Sequence, residues 1–356
     1  MKKRSVAVGL SGGVDSAVAT AFLIEQGFDV KGITMSTWDG AIDIEDITKK
    51  GCYGPNKDND VKDARKIADQ LGIPFAEIDM RTEFREEVIA YFKSEYLHGR
   101  TPNPCIICNR QLKFGAFLEK AAKELDFDFF ATGHYARIIE KDGSHFMKKA
   151  IDTSKDQTYF LQSLKKENLS KILFPLGEMH KKDVREKARE LGLEVAERPE
   201  SQDFITGGDY SLLFGEKDIK PGNIVNEQGK VLGRHRGIIH YTVGQRKGLG
   251  ISNPVPLYVL RLDAKKNQVV VTEKANLFST ELTAGYFNSL MDGDVPKEFR
   301  ALAKIRQKHK ESPATIKVIE KDKIQVIFDE PQLSITPGQA VSLYDDDFLL
   351  GGGIIL

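Results

Sequence analysis

The residues Ser11-Gly12-Gly13-Val14-Asp15-Ser16 follow a short apolar run, Val6-Ala7-Val8-Gly9-Leu10, and open a helix-like segment at Ala17. A strand that passes through small residues into a helix N-terminus aims backbone N–H groups at an anion, and the helix dipole favours the negative charge. The two glycines let the backbone come close to oxygen atoms, and Ser11 and Ser16 add hydroxyl donors. This loop is spaced neither as G-x-x-x-x-G-K-[ST] nor as G-x-G-x-x-G. Asp15 is the odd member, because a carboxylate beside phosphates repels them unless a cation lies between, which implies magnesium.

The loop resembles the PP-loop, S-G-G-x-D-S, of ATP pyrophosphatases that activate a carbonyl oxygen by adenylation. The surrounding pattern suits such a domain. Val6 to Leu10, Val30 to Met35, Phe75 to Ile78 and Phe127 to Ala131 read as buried strands. Val61, Ala64, Ile67, Ala68 and Leu71 repeat at helical spacing and stop at Gly72, and Phe114, Phe117, Leu118, Ala121, Ala122 and Leu125 do the same. The expected fold is α/β, a doubly wound parallel sheet with ligands at the carboxyl ends of its strands.

A hairpin turning at Lys141-Asp142-Gly143 and a helix over Lys181 to Leu191 follow. After about residue 205 glycine and proline punctuate short alternating runs, Leu257 to Leu262, Val269 to Thr272, Thr315 to Ile319 and Ile324 to Phe328, which read as antiparallel strands. The expected division is a PP-loop ATP-binding domain over 1–205, a small central module over 206–275 and a C-terminal β-barrel over 276–356. A chain of 356 residues, 40% hydrophobic and 29% charged, has core enough for two or three domains.

Lys+Arg and Asp+Glu both number 52, so any basic surface must be local. No apolar run reaches the roughly 18 residues of a membrane span, and Met1-Lys2-Lys3-Arg4 leads straight into a strand. These features lead us to expect a cytoplasmic protein with no membrane partner. Three cysteines in such a chain point to thiols, metal ligands or catalytic sulfur rather than a disulfide scaffold.

Further segments agree with one family. Gly99-Arg100-Thr101-Pro102-Asn103-Pro104, Cys108-Asn109, Ala131-Thr132-Gly133-His134-Tyr135, Lys155-Asp156-Gln157-Thr158-Tyr159-Phe160-Leu161, Gly244-Gln245-Arg246-Lys247-Gly248-Leu249-Gly250 and Thr336-Pro337-Gly338-Gln339 resemble the bacterial tRNA 2-thiouridylases of the MnmA type. The resemblance spans nearly the whole chain. It implies that ATP adenylates the 2-oxygen of a tRNA uridine, at wobble position 34, before sulfur displaces AMP. Carried over by position, it assigns Gly9, Leu10, Ser11, Gly12, Gly13, Val14, Asp15, Ser16, Met35 and Gly133 to ATP. It assigns Asn103, Pro104 and Cys105 to the target base, and His134, Lys155, Asp156, Gln157, Arg306, Gln307 and Gln339 to tRNA. Cys108 matches the catalytic cysteine. The sulfur donor would be free sulfide, a cysteine desulfurase or a sulfur-relay protein.

The chain departs from the family in two places. After Asn103-Pro104 the family has Asp, whereas this chain has Cys105, giving Cys105-Ile106-Ile107-Cys108. The family's second catalytic cysteine lies in a segment like E-S-Q-D-I-C-F, but here Glu200-Ser201-Gln202-Asp203 runs directly into Phe204-Ile205-Thr206. Cys52 follows the second strand, whose loop should open on the same active-site mouth. Cys52, Cys105 and Cys108 are therefore the number needed to hold a four-iron four-sulfur cluster with one iron open to sulfide. A zinc site completed by His134 and cysteine-only persulfide chemistry on Cys105 and Cys108 are the alternatives.

Lys304, Arg306 and Lys308 alternate with Ala303, Ile305 and Gln307, so a strand there would present three cations on one face as a phosphate track. Gln307 stands where the family often has Tyr, a stacking residue. Arg234, His235, Arg236, Arg246 and Lys247 form a second basic group. Two other functions remain open from sequence: an amide- or nucleotide-forming PP-loop synthetase, which would have no use for the C-x-x-C, and a non-catalytic RNA-binding paralogue.

Overall fold

The computed structural model describes residues 3–45, 51–197 and 203–356. Met1, Lys2 and the Glu200-Ser201-Gln202 part of the departing segment lie outside the described residues. The first half is built on β1 (Ser5–Gly9), α1 (Val14–Glu25), β2 (Asp29–Ser36), β3 (Gly51–Tyr53), α2 (Lys57–Leu71), β4 (Phe75–Asp79), β5 (Phe129–Thr132), β6 (Ala136–Lys141), β7 (Ser144–Lys149) and β8 (Ile172–Leu173). Five of these strands form one parallel sheet in the order β4-β2-β1-β5-β8.

The apolar runs become strands because both faces of the sheet are covered: Val6, Ala7 and Val8 in central β1 are each 0% exposed. α1 buries Ala17, Val18 and Ala21, and α2 buries the Val61, Ala64, Ile67 and Ala68 stripe before ending at Gly72. β5 starts at Phe129, two residues later than the hydrophobic run suggests. The Asp128 carboxylate is occupied as a clamp, accepting the Ser5 N–H at 2.8 Å and the Ser5 hydroxyl at 3.0 Å. Strand order reverses between β1 and β5, so the crevice outside their carboxyl ends is the switch point of the sheet.

Strands Gly222–Val225, Val231–His235, Leu257–Asp263 and Gln268–Glu273 make a four-stranded central sheet. Six strands beyond it close a barrel, because Phe278–Ser289 pairs with both Lys323–Leu333 and the final strand, Phe348–Ile355. Leu282, Ile316, Val326 and Leu343 fill its interior. The β6–β7 hairpin turns at Asp142-Gly143, both with positive φ, and β7 pairs with the final strand at Lys148↔Phe348. The sheet of the barrel thereby extends into the first half of the chain.

One expectation fails here. The strand Glu298–Lys304 ends at Lys304, and residues 305–309 form a turn in which the His309 N–H donates to the Arg306 carbonyl at 3.1 Å. Lys304, Arg306 and Lys308 therefore do not share a strand face. The reason is Arg306, whose guanidinium donates to the Ser334 carbonyl at 2.6 Å and the Thr336 hydroxyl at 2.5 Å and folds the turn onto that loop.

Candidate active site

A cavity of about 250 Å³ opens at the carboxyl ends of β1, β2 and β5. Its walls include Gly9 at the end of β1, Leu10, Ser11, Asp15 and Ser16 from the phosphate loop and the start of α1, Thr34 and Met35 from β2, Thr132 at the end of β5, and Gly133 and His134 just after it. Cys52, Cys108, Lys57 and Lys113 complete the polar side of the lining. The loop is shaped by its own hydroxyls: Ser16 Oγ accepts the Ser11 N–H at 3.2 Å and donates to the Gly13 carbonyl at 3.1 Å. Gly133 is required by close approach, since a Cβ there would lie 2.8 Å from the Ser16 nitrogen. Gly12, Gly13 and Val14 belong to the loop but do not line the cavity.

Asp15 does have the cation that its position demands, supplied by the protein. The Lys181 ammonium, on the helix Lys181–Glu190, donates to both carboxylate oxygens at 2.6 and 2.8 Å, and the Tyr135 hydroxyl donates at 2.8 Å. Lys181 is 8% exposed while the Asp15 side chain keeps 30% of its surface open, so the ion pair is partly shielded from solvent and salt. In the folded chain the cation beside Asp15 is the Lys181 ammonium. Sequence reasoning missed Lys57 and Lys181, the latter because a lysine 166 positions from its partner carries no local signal, and it met Lys113 only within the family-like Lys113-Phe114 segment, with no role at the site. It also missed Thr34, Thr37 and Phe84 on the cavity wall.

The three cysteines do not share one cavity wall. Cys52 and Cys108 line the cavity, whereas Cys105, one helical turn before Cys108, does not. Among the described residues no group of three or more His, Cys, Asp or Glu side chains is arranged to hold a metal ion. This overturns the iron-sulfur cluster expected on Cys52, Cys105 and Cys108, and the zinc alternative with His134 falls with it. Cys108 follows the short helix Pro104–Ile107, which Asn103 caps by accepting the Cys105 N–H at 3.2 Å with Pro104 at the first helical position. Burial pushes the Cys108 thiol above the ordinary thiol range, and Lys113 opposes that shift. The Cys105 thiol is also pushed up, first by the protein packed around it and then by the charge of Cys52.

His134 is held neutral. Burial and then Lys113 push it well below the usual imidazole range, and its Nδ1 lies 2.6 Å from the Thr132 hydroxyl. Gln157 touches the cavity and accepts the Tyr135 N–H at 2.9 Å. Other residues that the resemblance assigned to tRNA form the joint around the site. Asp156 is buried, accepting from the Ala150 N–H at 3.0 Å and the Thr158 hydroxyl at 2.6 Å, and burial raises its carboxyl. Gln307 donates to the Asp156 carbonyl at 2.6 Å, and Gln339 donates to the Thr101 carbonyl at 2.8 Å. Lys155 lies outside the cavity at the tight turn whose N–H reaches the Asp152 carbonyl at 3.0 Å. No helix among the described residues is long and apolar enough to cross a membrane.

Fold and cavity together define a PP-loop α/β protein whose nucleotide-type pocket also carries two thiols. Three family profiles match along the chain: "tRNA methyl transferase HUP domain" over residues 4–206, "tRNA methyl transferase PRC-barrel domain" over 214–273 and "Aminomethyltransferase beta-barrel domain" over 279–355. Among curated proteins, the chain is 47% identical to tRNA-specific 2-thiouridylase MnmA of Acetivibrio thermocellus, over 100% of both chains. It is 47% identical to the MnmA of Carboxydothermus hydrogenoformans, covering 99% of this chain and 98% of that one. It is 48% identical to MnmA 2 of Thermoanaerobacter sp. strain X514, covering 98% and 97% respectively. The chain belongs to the bacterial MnmA-type tRNA 2-thiouridylases of the PP-loop family, which are sulfurtransferase enzymes.

Proposed function

We propose that this enzyme performs ATP-dependent 2-thiolation of uridine in tRNA, at the wobble position, with a persulfide on Cys108 as the sulfur carrier. The observation that carries the reading is the shared lining of one cavity by the phosphate loop and Cys108. Oxygen activation and sulfur delivery can then act on one carbon atom. Ser11, Ser16 and the N-terminus of α1 are disposed to take the phosphates of ATP, and Met35 and Gly133 to border its nucleoside.

The uridine is taken out of its stack to present its 2-oxygen, at a cost of a few kcal/mol for an already unpaired loop base. That oxygen attacks the α-phosphorus and pyrophosphate leaves, which turns a poor leaving group into AMP. The terminal sulfur of the Cys108 persulfide then attacks carbon 2, and AMP departs. Lys113, whose charge favours the ionised sulfur of Cys108, sits on the same wall. Sulfur reaches Cys108 already at the persulfide level, by transfer of the terminal sulfur from a cysteine desulfurase or relay-protein persulfide to the Cys108 thiolate, with the donor's thiolate as the leaving group. Asn103, Pro104 and Cys105 border the entrance to Cys108 along the chain and suit contact with the base, and the tRNA body would lie against the central sheet and the barrel.

The test is incubation of the purified enzyme with a tRNA transcript, ATP, cysteine and a cysteine desulfurase, reading 2-thiouridine by nucleoside mass spectrometry and pyrophosphate release together. Both should appear in parallel, and both should vanish in Asp15→Ala. Thiouridine formation that survives Cys108→Ser would sink the persulfide assignment. Pyrophosphate release with small amide acceptors and no RNA would instead identify a synthetase.

A further inference from the structure

Thiol chemistry leaves a problem that Cys108 alone does not solve. Once persulfide sulfur has joined carbon 2, the base is still tethered through a Cys108–S–S–carbon linkage, and release requires a second thiolate to attack the Cys108 sulfur. We propose that Cys52 is this second thiol, a role that rests on the persulfide reading above.

The geometry begins with the alternation of β3. Gly51 and Tyr53 are both buried on one face of this strand, so the residue between them faces the other way, and Cys52 is exposed and lines the cavity with Cys108. The face opposite Cys52 is firmly anchored. Tyr53 stacks on Phe84 with ring centroids 5.5 Å apart, meets Trp38 edge-on at 4.8 Å and donates its hydroxyl to Asp39 at 2.6 Å. The Thr37 hydroxyl donates to the Cys52 carbonyl at 3.1 Å and fixes the backbone.

The neighbouring strand gives the second argument. β3 pairs in parallel with Asp203–Ile205, with Gly51↔Asp203 and Tyr53↔Ile205, so Cys52 stands level with Phe204. The approach is tight enough that a Cβ on Gly51 would lie 2.3 Å from the Ile205 carbonyl carbon. The 203–206 run carries no sulfur, and the thiol at that level of the paired strands is Cys52. Cys105 is the competing candidate. It precedes Cys108 by one helical turn and is absent from the cavity wall. Cys52 is also close enough to Cys108 for its charge to raise that thiol's pKa.

The step balances with the groups named. Cys52 thiolate attacks the Cys108 sulfur, a Cys52–Cys108 bond forms, the Cys108–sulfur bond to the base breaks, and the electron pair leaves on the 2-thiouridine sulfur. An external dithiol then reduces the Cys52–Cys108 disulfide and becomes oxidised itself.

The experiment is a single turnover of full-length enzyme loaded with persulfide by a cysteine desulfurase, with tRNA and ATP and no reductant. Peptide mass spectrometry of the parent enzyme should find a Cys52–Cys108 disulfide in proportion to the 2-thiouridine released. Cys52→Ser should instead hold the tRNA on Cys108 as a band on a denaturing gel that dithiothreitol releases. A Cys105–Cys108 disulfide in the parent, or free 2-thiouridine from Cys52→Ser at the parent's rate, would overturn the role of Cys52 while leaving the persulfide reading intact. A parent enzyme that thiolates without any disulfide or tethered tRNA would bring down the persulfide reading itself. The parent's disulfide map distinguishes Cys52 from Cys105 even if Cys52→Ser does not fold.

Discussion

Asp15 and Lys181 carry the electrostatics of the site. A carboxylate aimed at a phosphate site is repulsive, and its pairing with the buried Lys181 ammonium offsets that charge. Lys181→Met should leave tRNA binding near the parent's level and lower the rate of pyrophosphate release by about 100-fold, the usual effect of deleting one donor at a developing charge. Lys181→Arg should restore part of the rate, since a purely structural pair would show its loss in the melting curve and not in kcat. Cys108 gives a second prediction at this scale. Its raised pKa means that little thiolate exists at neutral pH and that reactivity climbs as pH passes above the ordinary thiol range. Iodoacetamide labelling of Cys108 should therefore rise with pH to a late midpoint, and Lys113→Met should move that midpoint further up. A midpoint lowered by Lys113→Met would reverse the sign assigned to Lys113.

At the scale of elements, the short helix Pro104–Ile107 decides where Cys108 stands. Asn103 accepts the Cys105 N–H and the following proline has no N–H to satisfy, so the turn is held largely by one side-chain cap. Asn103→Ala should cost about 0.5–2 kcal/mol in chemical denaturation, as lost caps do, and should also broaden the labelling profile of Cys108. Much at this scale was legible in the sequence. Buried parallel strands such as Val6 to Leu10 announce themselves as apolar runs, and the α2 stripe ends at a glycine. The phosphate loop was legible because its residue types are dictated locally. Three other features were not. The Lys304–Lys308 alternation read as strand because period-2 charge says nothing about Arg306 being drawn off to Ser334 and Thr336. The three-residue β3 is too short for periodicity, and only its pairing with Asp203–Ile205 gives it a face. The cluster followed from counting thiols, which does not say which of them share a wall.

For the whole molecule, charge balance sets how it can meet RNA. With Lys+Arg and Asp+Glu equal at 52, affinity must come from a few local contacts, and each phosphate neutralised contributes about 0.7–0.9 to the slope of log affinity against log salt. The turn after the Glu298–Lys304 strand separates two kinds of cation. Lys308 is exposed, whereas Arg306 is committed to the 334–336 loop, close to where Gln339 and Pro337 bind the Thr101 backbone and hold the barrel against the segment leading to Cys108. Lys308→Ala should thus weaken tRNA binding and make the salt slope shallower by about one contact, with the melting temperature unchanged. Arg306→Ala should do the opposite, lowering the melting temperature through loss of charge-assisted bonds worth about 1.5–3 kcal/mol and slowing sulfur transfer while the slope stays near the parent's. Filter binding across a potassium chloride series, paired with calorimetry, tells these apart. A slope lost in Arg306→Ala and kept in Lys308→Ala would mean that tRNA pulls the guanidinium out of its loop and that the turn rearranges on binding.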